Sequence, residues 1–318
     1  MPSFKFVARR FSDRTFGTAF DRALTRAHRG PRGGFLFYWN RGLGDIALGL
    51  VPLFQRIRKE FPGARIEVIT REELRAPFEL VGVEVLHVVK DLAREERIDL
   101  ARAAPDLGIE PARYAAVFDY PDPNRWLDGR RAEFPPVLRW NPRWDELVGR
   151  FPEVAAVRVV IGAHVNSETA SYYGYVKDWP AESWQALIAR FADANIQWLI
   201  FGNRAHTNRA DRAFAAANVI DLRGRTDFAE LMALIRHRCR VLVAPDSGVL
   251  TMAYYLDGPF PLDVVSLWAD PRQGILLQGC PSPNARLQHV ALESPGEDIT
   301  KLPVENVEAA LRTAISRT

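Results

Sequence analysis

Short apolar runs alternate along this chain with stretches whose apolar positions recur every three to four residues, the pattern of strands exchanging with helices. The run at 35–39, Phe-Leu-Phe-Tyr-Trp, follows Gly33-Gly34 and predicts a buried strand. Beyond it Ile46, Leu50, Leu53 and Ile57 share one helical face, with Arg56, Arg58 and Lys59 left for solvent. Strand patterns return at 65–70, 84–89 and 114–119, with helical spacing at 72–81 and 91–103 between them. This alternation predicts a parallel, doubly wound sheet.

The pattern then breaks. Pro121, Pro123, Pro135, Pro136, Pro142 and Pro152, with Trp126, Trp140 and Trp144, crowd a stretch too rich in breakers for regular elements. The tryptophans are expected to pack between domains. Strand patterns resume at 156–162, 196–201, 219–222, 241–244 and 263–268, the last closing the sheet. Helices are predicted at 180–194, 208–217 and 227–236 and after Gly248. The chain therefore predicts an α/β protein of two doubly wound domains facing a cleft, 1–153 and 154–318. The amphipathic tail at 304–315 could cross back onto the first domain. Ligands in open α/β sheets sit at the carboxyl ends of strands, so the loops after Trp39, Gly162, Phe201, Ala244 and Trp268 are the ones to read.

Composition narrows the class. A chain of 318 residues, 47% hydrophobic and 25% charged, suits two globular domains and excludes fibrous and disordered proteins. Two cysteines, Cys239 and Cys280, cannot build a disulfide framework, which points to a reduced, cytoplasmic setting. A net charge of +3, without aromatics interleaved among basic residues, argues against nucleic acid as a partner. Phe4, Val7 and Phe11, then Phe16, Phe20 and Leu24, recur among arginines without the continuous apolar core of a signal peptide or spanning helix. That is a basic amphipathic helix, which either packs on its own domain or rests on anionic lipid.

The first loop carries the chemistry. In Gly42-Leu-Gly44-Asp45-Ile-Ala-Leu-Gly49 the third glycine comes too late for a dinucleotide fingerprint, and an acid stands where a pyrophosphate would sit. No phosphate loop, no GxSxG elbow and no pair of aspartates two apart is present, so the chemistry is expected to be metal-independent. His164, His206 and His237 have no metal spacing and read as loop or surface histidines. Asp45 is placed either to cap its helix or to act as a general base.

At this point the chain resembles a family. "GLGDIALGLVPLFQRIRKEFPGARIEVIT" is similar to the N-terminal signature of family 9 glycosyltransferases, the bacterial heptosyltransferases of lipopolysaccharide core assembly. "KDWPAESWQALIARF", "LIFGNRAHTNRA" and "VIDLRGRTDFAELMALIRHRCRVLVAPDSG" look like that family's second domain, in the same order. The resemblance implies a GT-B fold and inverting transfer from a nucleotide sugar, typically ADP-linked, to a glycan or lipid-linked acceptor, without a metal or other cofactor. It also implies an enzyme working in the cytoplasm, with peripheral contact at the cytoplasmic face of the inner membrane. Asp45 would be the base, on an acceptor-side loop of Asn40, Arg41, Gly42 and Gly44. Lys177 would contact the donor diphosphate, and Asp246, Ser247 and Gly248 would open a donor-binding helix. Ser167, Thr169, Gly202 and Asn203 would be secondary donor contacts. The chain departs from the family pattern at Thr251, where a histidine is usual, and shows no glutamate in the loop after Phe201.

Two other functions stay open on the residues alone. A GT-B nucleotide-sugar epimerase would bind the nucleotide without an acceptor, and a non-catalytic descendant would bind a carbohydrate or partner.

Overall fold

The computed structural model describes the chain apart from residues 1–16, 31–32, 155–158, 167–175, 194, 203–213, 215 and 318. Most of the expected helix at 208–217, Ser167, Thr169, Asn203, His206 and most of the N-terminal amphipathic stretch lie outside the described residues, and Phe214, Ala216 and Ala217 are not helical. Two compact units emerge, one of residues 1–41 and 49–135, the other of 42–48 and 136–318.

The first unit is built on β1 (Gly34–Tyr38), β2 (Ile66–Arg71), β3 (Val85–Val89) and β4 (Tyr114–Phe118), all parallel in the order β3-β2-β1-β4. Helix α1 (Ala19–Arg29) starts at a capping box between Thr18 and Asp21, which satisfies free N–H groups of the first turn. It buries Phe20 and Leu24 on its own unit, with Phe20 stacked on Trp126 and tilted against Phe118. Helix α2 (Val51–Glu60) buries Leu53 and Ile57 as the spacing requires. Arg56 departs from expectation and is buried, ion-paired with Asp21 at 2.6 Å and Glu60 at 2.7 Å and lying over the Phe20 ring. Its stem follows the apolar face while α1 supplies the counter-charge. The helical pattern at 91–103 shrinks to Leu100–Ala103, because Asp91 and Glu95 hold left-handed φ values of 57° and 62°. The pattern at 72–81 yields only a 3-10 turn at Glu72–Leu74 and a short helix at Arg75–Glu79.

The second unit carries β5 (Val159–His164), β6 (Ile196–Phe201), β7 (Val219–Asp221), β8 (Val241–Pro245), β9 (Leu262–Trp268) and β10 (Leu287–Glu293). All are parallel, in the order β10-β9-β8-β5-β6-β7. Strands β5, β8 and β9 are buried along their whole length, as a sheet covered on both faces demands. Strand β10 corrects the expectation that 263–268 closes the sheet: it is an edge strand, mostly half-buried, and its mixed sequence gives no long apolar run. Around the sheet lie α3 (Ala181–Ala189), α4 (Phe228–His237), α5 (Gly248–Tyr254), α6 (Gly274–Gln278) and α7 (Val304–Ser316).

Two boundaries differ from the sequence reading. Residues 136–153 pack with the second unit, where the Leu138 N–H donates to Tyr255 O and the Asp257 N–H to Leu138 O, both at 2.8 Å, and Trp144 meets Phe228 edge-on. Trp140 likewise sits edge-on to His237, so each tryptophan of the proline-rich stretch packs inside one unit. Helix α7 stays on the second unit: Val307, Leu311 and Ala314 are buried in its core with Trp184 and Leu187 of α3, and Arg190 pairs with Glu305 and Glu308. Among the described residues no helix is long and apolar enough to cross a membrane.

Candidate functional site

In the second unit the strand order reverses between β5 and β8, the point at which doubly wound sheets leave a crevice at their carboxyl ends. Lys177 follows β5 and Asp246 follows β8 directly, and the structure brings them together: Lys177 Nζ lies 2.6 Å from Asp246 Oδ2. Both side chains are mostly buried, so salt screens the pair less than it would a surface pair. Gln273, in the loop after β9, accepts from Lys177 Nζ through Oε1 at 2.8 Å. Gly274 has φ +51°, and a Cβ there would lie 2.5 Å from Asp246 Oδ1 and 2.8 Å from the Trp268 ring, so only glycine fits beside the ion pair.

The turn after Asp246 is tied up internally. The Ser247 side chain caps α5 by accepting from the Leu250 N–H at 3.2 Å, and the Thr251 hydroxyl donates to Ser247 O at 3.1 Å. Both side chains are buried. The start of α5 is also not open, as a bare anion site would be, because the Leu43-Gly44 loop lies on it. A Cβ on Gly248 would stand 2.8 Å from Leu43 Cβ and 3.0 Å from Gly44 N. Reciprocally, a Cβ on Gly44 would stand 3.3 Å from both Gly248 Cα and Thr251 Oγ1. Thr251 is thus the floor on which the loop rests.

Asp45 follows in this loop, half-buried in the first turn of a helical run, inside the turn and not at the cap. A π-turn at Ile46–Leu50 comes next, ahead of α2. Pro52 explains it: its ring lacks the N–H that would bond to the residue 48 carbonyl and clashes with that carbonyl in α geometry.

Asn40 and Arg41 belong to the first unit. Asn40 is buried, donating to Ala93 O at 2.6 Å and Glu96 O at 3.1 Å and accepting from Arg71 at 2.9 Å, so it fastens the 93–96 loop. The Arg41 guanidinium lies 5.5 Å from the Trp39 and Tyr120 ring centres, and Arg41 lines a small cavity with Tyr38, Glu95 and Pro121. Gly202 has φ +148° and is overhung by the Asn166 side chain. His164 is not a surface histidine: burial holds its imidazole down to about 4, and Nδ1 has no hydrogen-bond partner among the described residues. His237 pairs with Asp145 at 2.8 Å. No group of three or more His, Cys, Asp or Glu side chains that could hold a metal ion occurs among the described residues. Gln273 escaped the sequence reading because the loop after Trp268 was marked by its strand end alone, and a glutamine carries no motif.

Two parallel sheets with a charged crevice at the strand ends define an α/β protein of the GT-B class. Solved structures agree on that fold: a family 9 glycosyl transferase from Veillonella parvula is 15% identical, with TM-score 0.66, 91% of this chain and 99% of that one being covered. E. coli ADP-heptose lps heptosyltransferase II is 16% identical, with TM-score 0.55, over 89% and 99% of the two chains. E. coli heptosyltransferase WaaC with ADP is 15% identical, with TM-score 0.52, over 88% and 99%. No curated protein matches the sequence. Residues 155–272 match glycosyltransferase family 9 (heptosyltransferase), and the protein is a glycosyltransferase.

Proposed function

We propose that the protein transfers a heptose-like sugar from a nucleoside-diphosphate sugar to a glycan or lipid-linked acceptor of the bacterial envelope, with inversion and without a metal. The observation that carries this reading is the seating of the Gly42–Asp45 loop on the turn that follows Asp246, which puts a candidate base and a candidate donor site in one compact unit. The Asp45 carboxylate takes the proton of the acceptor hydroxyl as its oxygen attacks the anomeric carbon. The bond to the diphosphate breaks in the same displacement, which inverts that carbon. Lys177 supplies the positive charge that the departing diphosphate needs, in the role a metal fills elsewhere.

ADP is the nucleotide in the WaaC structure, which makes an ADP-linked sugar the first donor to try. The acceptor would be presented at the cytoplasmic face of the inner membrane, with the basic N-terminal segment as the contact. The test measures release of nucleoside diphosphate from ADP-, UDP- and GDP-linked sugars in the presence of truncated lipopolysaccharide core, for the wild-type protein and Asp45→Asn. Acceptor-dependent release that Asp45→Asn abolishes supports the proposal. Acceptor-independent conversion of the free nucleotide sugar would instead establish an epimerase.

A further inference from the structure

We propose that Gln273 is a positioning residue for the Lys177 ammonium, and that Asp246 is the counter-ion an incoming diphosphate displaces. This rests on the reading of Lys177 as the diphosphate contact.

The Lys177 side chain is 18% exposed and is gripped from two sides, by Asp246 at 2.6 Å and by the Gln273 amide oxygen at 2.8 Å. The two grips differ in kind. A carboxylate neutralises the ammonium, whereas an amide oxygen orients it and leaves its charge available to a ligand. Gln273 is itself aimed from behind: its amide N–H donates to Asp270 Oδ2 at 3.3 Å, which turns the oxygen toward Lys177. Asp270 is locked by the Arg272 guanidinium, with contacts of 2.8 and 3.1 Å, and those bonds hold its carboxyl down at about 2. Arg272 reaches on to Glu297 at 2.7 Å. The chain Glu297–Arg272–Asp270–Gln273 therefore fixes a long, otherwise flexible lysine at the carboxyl end of the sheet. Asp246 has space for its carboxylate only because residue 274 is glycine. A diphosphate carries more negative charge than Asp246 and takes its place on an ammonium already held at the right point. The entropy of ordering the lysine is spent before the ligand arrives.

Calorimetric titration of the full chain with ADP and with adenosine tests this, because adenosine lacks the phosphates and ADP lacks the sugar to be transferred. Gln273→Glu adds a second carboxylate and should weaken ADP binding about tenfold, and Gln273→Met, whose thioether accepts only weakly, about threefold. Asp246→Asn removes the competitor and should tighten ADP binding about threefold or more. Adenosine affinity should stay within about twofold throughout, since neither residue acts on the nucleoside. If the ratio of ADP to adenosine affinity is unchanged in both Gln273 variants, or if Asp246→Asn does not tighten ADP, the inference fails. Loss of ADP affinity in Lys177→Ala alone, with both Gln273 variants unaffected, would leave the diphosphate reading standing and remove only Gln273. Binding of no nucleoside diphosphate by the wild-type protein would overturn both.

Discussion

Gly44 and Gly248 pass so closely that a methyl group on Gly44 would lie 3.3 Å from Gly248 Cα, and one on Gly248 would lie 3.0 Å from Gly44 N. Two glycines distant in sequence thus let one backbone rest directly on another. One precedes Asp45, and the other ends the Asp246-Ser247-Gly248 turn. The contact explains why a loop that begins at the end of β1 packs with the second unit.

Replacing Asp45 by asparagine keeps shape and removes the basic oxygen. Transfer should fall by about two to four orders of magnitude, the usual contribution of a positioned general base, while nucleotide affinity stays within about twofold. Parallel rate and binding measurements check this, and undiminished transfer would remove Asp45 as the base.

Gly248→Ala forces a Cβ against Leu43 and Gly44 N and should displace the Asp45 loop. A strained insertion of this kind costs about 1–3 kcal/mol, so a drop in turnover of about tenfold or more is expected with the fold retained. The readout is turnover together with the thermal midpoint. Gly149→Ala is the control, because nothing lies within 4 Å of a Cβ there and, as at Gly248, its φ is outside the left-handed region.

Arg56 offers a test of packing. Removing its guanidinium takes a buried partner from both Asp21 and Glu60, so Arg56→Met should cost about 2 kcal/mol of unfolding free energy. Arg58, whose nearest carboxylate is 3.3 Å away at the surface, should cost less than about 0.5 kcal/mol when changed to alanine. Urea denaturation of the two variants separates them, and equal losses would contradict the buried placement.

His164 predicts an acid limb of stability. Its folded-state value lies near 4 against an ordinary 6.5, so the unfolded chain takes up the proton first as pH falls. The stabilisation is complete above about pH 6.5 and is lost progressively toward pH 4, by up to about 1.4 kcal/mol per pH unit. His164→Met should flatten that limb between pH 6.5 and 4.5 in a series of thermal midpoints. An unchanged slope would show that other groups carry the acid sensitivity.

Strands were legible wherever the run was apolar on both faces, as at β6 and β9, since a parallel sheet buries both sides. Strand β10 was not, because an edge position lets Gln288 and His289 share it with Val290 and Leu292. Periodicity marked the right face of α2 but misplaced Arg56, whose fate depended on a carboxylate from α1. The Gly42–Asp45 loop stood out through its glycines, yet what those glycines touch was hidden in the tertiary contact with Gly248. Lys177 and Asp246 were separately visible, but their pairing and the part of Gln273 arise only when β5, β8 and β9 align their ends. Asn40 shows the reverse, a polar loop residue of promising position that the fold uses for its own fastening.

The most direct measurement is calorimetric titration of the wild-type protein and Lys177→Ala with ADP, UDP, GDP and CDP, each with and without magnesium. The account predicts that the wild-type protein binds one diphosphate equally well with and without magnesium, and that Lys177→Ala binds it about tenfold or more weakly, as expected when a charged contact to phosphate is lost. Binding that requires magnesium, or equal affinity in the two proteins, would contradict it.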